Sequence, residues 1–129
     1  MVQSLNTKVD LVTSGTSFIG MTDYGDIMIG DKAFEFYHLH NSRKYIQIPW
    51  EEVDYVVASV LFKGKWIPRY AIQTKKNGRF IFASKEPKKV LRAMRQYIDG
   101  QKMVRSLSFI DVLKNSLFRK KKSAETNNS

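Results

Sequence analysis

Beyond Ser84 the hydrophobic repeat of this chain changes from that of a strand to that of a helix. Up to that point, RYAIQTKKNGRFIFAS (69–84) shows two alternating runs around Asn77-Gly78, the pattern of a type I′ hairpin. Beyond it, KEPKKVLRAMRQYIDG (85–100) places Val90, Leu91, Met94, Tyr97 and Ile98 on one helical face, with Lys88, Lys89, Arg92 and Arg95 opposite. Pro87 suits the first turn, Glu86 or Ser84 a cap, and Gly100 a stop. A run of strands ending in one helix restricts the fold to a small sheet that the helix closes.

The earlier segments supply the rest of that sheet. DIMIG (26–30) and KAFEFY (32–37) alternate about Gly30-Asp31, which predicts a tight turn where glycine takes up positive φ. HLHNSRK (38–44) reads as a loop and YIQIP (45–49) as a strand ending at Pro49. VDYVVASVLF (53–62) is apolar on both faces, as a central strand is, and FKGKW (62–66) is a turn. VDLVTSGTSFIG (9–20) adds one or two strands. The expected fold class is therefore mainly β with a C-terminal α-helix: a bent antiparallel sheet or partial barrel of about seven strands. The domain is expected over residues 1–101, an amphipathic basic helix over 102–122, and a disordered polar tail over 123–129.

Charge divides the chain. Residues 1–62 hold four Lys/Arg and eight Asp/Glu, a net of −4, and residues 63–129 hold eighteen and four, a net of +14. Such asymmetry points the second half toward something anionic: lipid headgroups, nucleic acid or an acidic protein. A merely solvated basic face is the bland counterpart. The chain has no cysteine, which excludes disulfides and Cys-based zinc or nucleophile chemistry and fits a reducing cytoplasm. MVQSLNTKVD has no long apolar run, so no signal peptide is expected, and no stretch is long and apolar enough for a spanning helix.

The segment SLSFIDVLKNSLFRKKK (106–122) is the main candidate binding element. Leu107, Ile110, Leu113, Leu117 and Phe118 cluster on a helical wheel, with Phe109 at the edge. Ser108 and Asp111 resemble a capping box, and Arg119, Lys120, Lys121 and Lys122 suit a helix C-terminus. Such a helix packs on its own domain, lies on an anionic membrane, or docks in a partner's groove.

Catalytic patterns are missing. There is no P-loop, no dinucleotide-binding glycine motif and no EF-hand loop. Asp23, Asp26 and Asp31 stand at turn positions, and Glu51, Glu52 and Asp54 read as a cap or a solvated cluster. On a strand His38 and His40 would share a face, and with Glu35 could approach a metal, but a polar loop explains them more simply. No enzyme activity, metal or cofactor is expected. Trp66, Tyr70, Phe80 and Phe82 could stack bases on a sheet, although Phe80 and Phe82 alternate like core residues.

The strings IQIPWEEVDYV (46–56) and GKWIPRYAIQTKKNG (64–78), within YIQIPW through RAMR (45–95), resemble the ManO family, as do YGDIMIGDKAFEFY (24–37) and MVRSLSF (103–109). That resemblance implies a cytoplasmic accessory or regulatory protein of mannose/glucose uptake, encoded beside the mannose-family sugar phosphotransferase system of Gram-positive bacteria. It transfers no catalytic residue. The order of elements is more weakly similar to pleckstrin-homology-like and GRAM-like domains. The combined expectation is a non-enzymatic adaptor at the inner face of the cell membrane. Its partners would be permease subunits or anionic phospholipid, reached through the tail residues named above. The alternative is a nucleic-acid-binding regulator of the operon.

Overall fold

The computed structural model describes residues 2–61 and 64–105. Eight strands form one sheet: β1 Val9–Ser17, β2 Asp23–Gly30, β3 Ala33–His38, β4 Tyr45–Pro49, β5 Val53–Ala58, β6 Tyr70–Thr74, β7 Arg79–Ser84 and β8 Met103–Arg105. Their order is β4-β3-β2-β1-β7-β6-β5-β8. All pairings are antiparallel except β5 with β8. Two meanders, β1–β4 and β5–β7, thus meet where Gly15–Ser17 pair with Phe82–Ser84.

The α-helix of the described residues, α1 (Pro87–Met94), packs against β1, β2 and β7. Val90, Ala93 and Met94 are buried, and Ile98 follows them into the core. The apolar face read from the sequence is therefore the packed one. The helix is shorter than its apolar pattern, because Arg95 caps it and Tyr97 and Ile98 reach the core from a turn. Glu86 occupies the N-cap position without a side-chain capping bond.

The core gathers Ile27, Phe34, Val56, Tyr70, Ile72 and Phe82 from both meanders. The Phe34 ring lies 4.7 Å from Phe82 and 6.3 Å, edge-on, from Tyr70. Burial pushes the Tyr70 phenol well above the usual tyrosine range. Ser84 lies near enough to offset a little of that, in a geometry short of a formed hydrogen bond.

Three expectations change. Gly30 ends β2 and does not take positive φ; Asp31 and Lys32 make the turn. Glycine is required there for room, since a Cβ would lie 2.3 Å from the Lys8 carbonyl oxygen. The β6–β7 connection is wider than a two-residue type I′ turn, because Gln73 and Arg79 are the last pair. The Thr74 hydroxyl closes it, accepting from the Asn77 N–H at 2.9 Å and donating to the Gly78 carbonyl at 2.7 Å, with Gly78 at φ 82°. VDLVTSGTSFIG, expected to add one or two strands, supplies one, β1. Finally, Met103–Arg105 belongs to the sheet and does not begin a helix at 102. Asp99 caps a short 3-10 turn, Gly100–Lys102, through the Gln101 N–H at 2.9 Å, and this turn lays the next residues beside β5.

Candidate functional site

Strands β5 and β8, the loop that follows β5 and the outer side of α1 line a cleft of about 600 Å³. Its floor is apolar: Val56 and Ala58 from β5, Ile67 from the following loop, Leu91 from α1 and Met103 from β8. Alternation along β5 turns Val56 and Ala58 to the same side, and the parallel register sets Met103 beside Val56. The rim is cationic. Lys88, Arg92 and Arg95 recur along one side of α1, and Arg105 stands at the end of β8.

These four cations are exposed, while Val56, Ala58 and Ile67 are buried. None of the four forms an ion pair among the described residues. Lys89, one residue from Lys88, instead pairs with Glu86 at 2.7 Å. Among the described residues the cleft's lining contains no carboxylate, amide or hydroxyl side chain. Its volume falls within the range of roughly 300–1,000 Å³ usual for ligand sites. An anionic group at the rim would gain from several cations at once, and an apolar group could cover the floor.

The tail residues proposed as the binding element, Leu107, Phe109, Ile110, Leu113, Leu117, Phe118, Arg119, Lys120, Lys121 and Lys122, lie outside the described residues. The chain leaves the described fold at Arg105, on the cleft's rim. The helix cations read from the sequence as a charged outer face are in place, but the convergence of Arg105 and the β5 floor on them has no local sequence signal.

A second polar cluster went unread in the sequence. Glu35 on β3 has no exposed surface, and the N-terminal segment lies against it. Its carboxylate accepts hydrogen bonds from the Ser4 hydroxyl, the Leu5 N–H (2.9 Å), the Asn6 amide (2.8 Å), the Tyr37 hydroxyl (2.6 Å) and the Gln47 amide (2.9 Å). Burial alone would raise its pKa, but these donors outweigh it and hold the carboxyl below the usual range. The Asn6 side-chain oxygen Oδ1 in turn accepts from the backbone N–H groups of Lys32 and Ala33, both at 2.8 Å. Asp31 accepts from the Thr7 hydroxyl and from the N–H groups of Lys8 and Thr7, which hold its pKa at about 2. This cluster clasps residues 4–8 onto the sheet.

Glu35 is thus committed to the N-terminal clasp and is not a partner for the histidines. His38 Nδ1 accepts from the N–H groups of His40 (3.1 Å) and Asn41 (2.9 Å), so its proton sits on Nε2, 3.4 Å from Asp23. Among the described residues no group of three His, Cys, Asp or Glu is arranged to hold a metal. Tyr70 and Phe82 are fully buried and Phe80 packs on the core, so these three do not form an open stacking face. Among the described residues no helix is long and apolar enough to cross a membrane.

Fold and cleft define a small β-dominated domain closed by one helix, with a cation-rimmed recess where the helix meets the sheet edge. The chain belongs to the family described as a domain of unknown function, DUF956, whose model matches residues 1–117. Among solved structures it is similar to the C-terminal domain of an unknown protein from Leishmania infantum, with a TM-score of 0.60 and 11% identity, over 69% of this chain and 82% of that one. At that identity the likeness is one of fold. No curated protein matches.

Proposed function

We propose that this protein is a non-enzymatic accessory protein of mannose/glucose uptake that docks on the cytoplasmic face of the mannose-family phosphotransferase permease. The cleft is the observation that supports this most: four exposed cations surround a recessed apolar floor, and the chain continues from its rim into a segment with four consecutive cations, Arg119–Lys122. The resemblance of IQIPWEEVDYV and GKWIPRYAIQTKKNG to the ManO family supplies the transporter context. The two meanders and single closing helix favour a pleckstrin-homology-like assignment of the fold. In this role the domain is a rigid platform, and Leu113, Leu117 and the terminal lysines reinforce attachment at the membrane surface.

The commitments of Glu35 and His38 favour a binding role over acid–base chemistry. The burial of Tyr70 and Phe82 favours a protein partner over nucleic acid.

The test is recovery of permease subunits from native membranes at near-physiological salt. Full-length protein should recover them. The Arg92→Glu/Arg95→Glu variant should not, and a chain ending at Arg105 should recover less. Equal recovery by all three would overturn the role assigned to the cleft. Recovery by none, with sequence-selective binding to operon DNA, would replace this function with nucleic-acid regulation.

A further inference from the structure

We propose that the cleft between α1 and β8 receives an acidic amphipathic segment of a partner protein, an apolar side chain entering the floor while flanking carboxylates meet Arg92 and Arg95. This deepens the docking role proposed above and rests on it for the partner's setting, though not for the chemistry.

The lining decides the ligand class. A sugar or sugar phosphate needs neutral hydrogen-bonding groups to orient its hydroxyls, and among the described residues no side chain of the cleft offers a hydroxyl, amide or carboxylate. What remains complementary is a ligand that is apolar in its middle and anionic at its edges. Relief then separates a bilayer from a protein. Insertion into a bilayer calls for apolar groups that protrude, with cations set behind them. Here the order is reversed over most of the lining: Val56, Ala58 and Ile67 are buried, Val104 alone among its described apolar side chains is exposed, and Lys88, Arg92, Arg95 and Arg105 stand outermost. A flat membrane would reach the rim and leave the floor unfilled. A side-chain knob flanked by carboxylates fills both, and the planar guanidinium groups suit bidentate pairing with them.

Charge also argues against the chain's own C-terminal segment. Residues 106–129 hold five Lys/Arg and two Asp/Glu, a net of +3, and would bring like charge to the rim. The outer edge of β8 pairs with no other strand among the described residues, so an incoming segment also has backbone groups to meet.

The experiment is selection of a displayed random-peptide library on full-length protein, followed by titration of the selected peptides as synthetic probes. Enriched peptides should place Asp or Glu beside Leu, Ile, Met or Phe. Their affinity should fall about tenfold or more for Arg92→Glu/Arg95→Glu, which retains the wild-type melting temperature, and for probes with Glu replaced by Gln. Enrichment without acidic residues, or equal affinity for the variant, overturns the proposal. Displacement of the probes by phosphatidylglycerol vesicles but not by phosphatidylcholine vesicles would reassign the cleft to lipid. No permease enters this experiment. Acidic-peptide specificity without permease recovery would therefore retain the cleft's chemistry and refute the transporter role.

Discussion

The backbone N–H of Leu5 donates to the buried carboxylate of Glu35, thirty residues away, at 2.9 Å. The bond ties the N-terminal segment across β3. Because five donors converge on this carboxylate, an amide in its place would set its own N–H groups against them. Glu35→Gln should therefore cost about 2 kcal/mol and lower Tm by roughly 10 °C. Hydrogen exchange should also quicken at Leu5, Asn6 and Thr7 ahead of global unfolding. Unchanged exchange at these amides would show that the clasp does not depend on the charge.

Acid should loosen the same clasp. Glu35 lies below its ordinary value of 4.5, and Asp31 falls from 3.8 to about 2. For both, the unfolded chain takes up protons first, so their stabilisation is complete above those ordinary values and is lost as pH falls toward 2. Melting temperature should fall across this window, and Glu35→Gln should flatten the slope.

The alkaline side has the opposite sign. The hydrogen bond to Asp10, with some desolvation, pushes the Tyr97 phenol up to about 12, and burial raises Tyr70 and Tyr37. Their stabilisation is present below the ordinary value of 10 and is lost as pH rises through the raised values. Ultraviolet titration should show Tyr37, Tyr70 and Tyr97 ionising late, with unfolding. A single normal transition in folded protein would contradict these environments.

Two glycines should respond differently to alanine. At Gly25 an added Cβ would lie 2.1 Å from the Tyr37 carbonyl oxygen, and Gly25→Ala should cost about 3 kcal/mol by overpacking. At Gly78 nothing lies within 4 Å, but φ is 82°, so Gly78→Ala should cost only about 1–2 kcal/mol. Chemical denaturation of both variants separates crowding from backbone strain.

Much of the fold could be read in the sequence because it is periodic. The alternation in KAFEFY and YIQIP and the helical spacing of Val90, Leu91 and Met94 each mark an element and its buried face. Features made by distant residues could not be read in this way. The Glu35 clasp joins segments thirty residues apart, and β8 is set by a pairing with β5 that leaves no alternation in three residues. Gly15 and Gly25 face each other across β1 and β2, where a Cβ on Gly15 would strike Ile27, and isolated glycines in strands were the available hint. The site was half legible. Lys88, Arg92 and Arg95 appeared as one helix side, but the floor beneath them comes from β5 and β8.

The same cleft gives the most direct test of the account. Val104 lines it and is 43% exposed, so a photo-crosslinking residue can replace it in full-length protein without entering the core. On irradiation in native membranes, it should form an adduct with an acidic segment of a permease subunit. That adduct should vanish with Arg92→Glu/Arg95→Glu and be absent from the same residue placed at Lys76, on the exposed β6–β7 connection. Adducts with lipid alone, or the same products from positions 104 and 76, would contradict a partner-docking cleft.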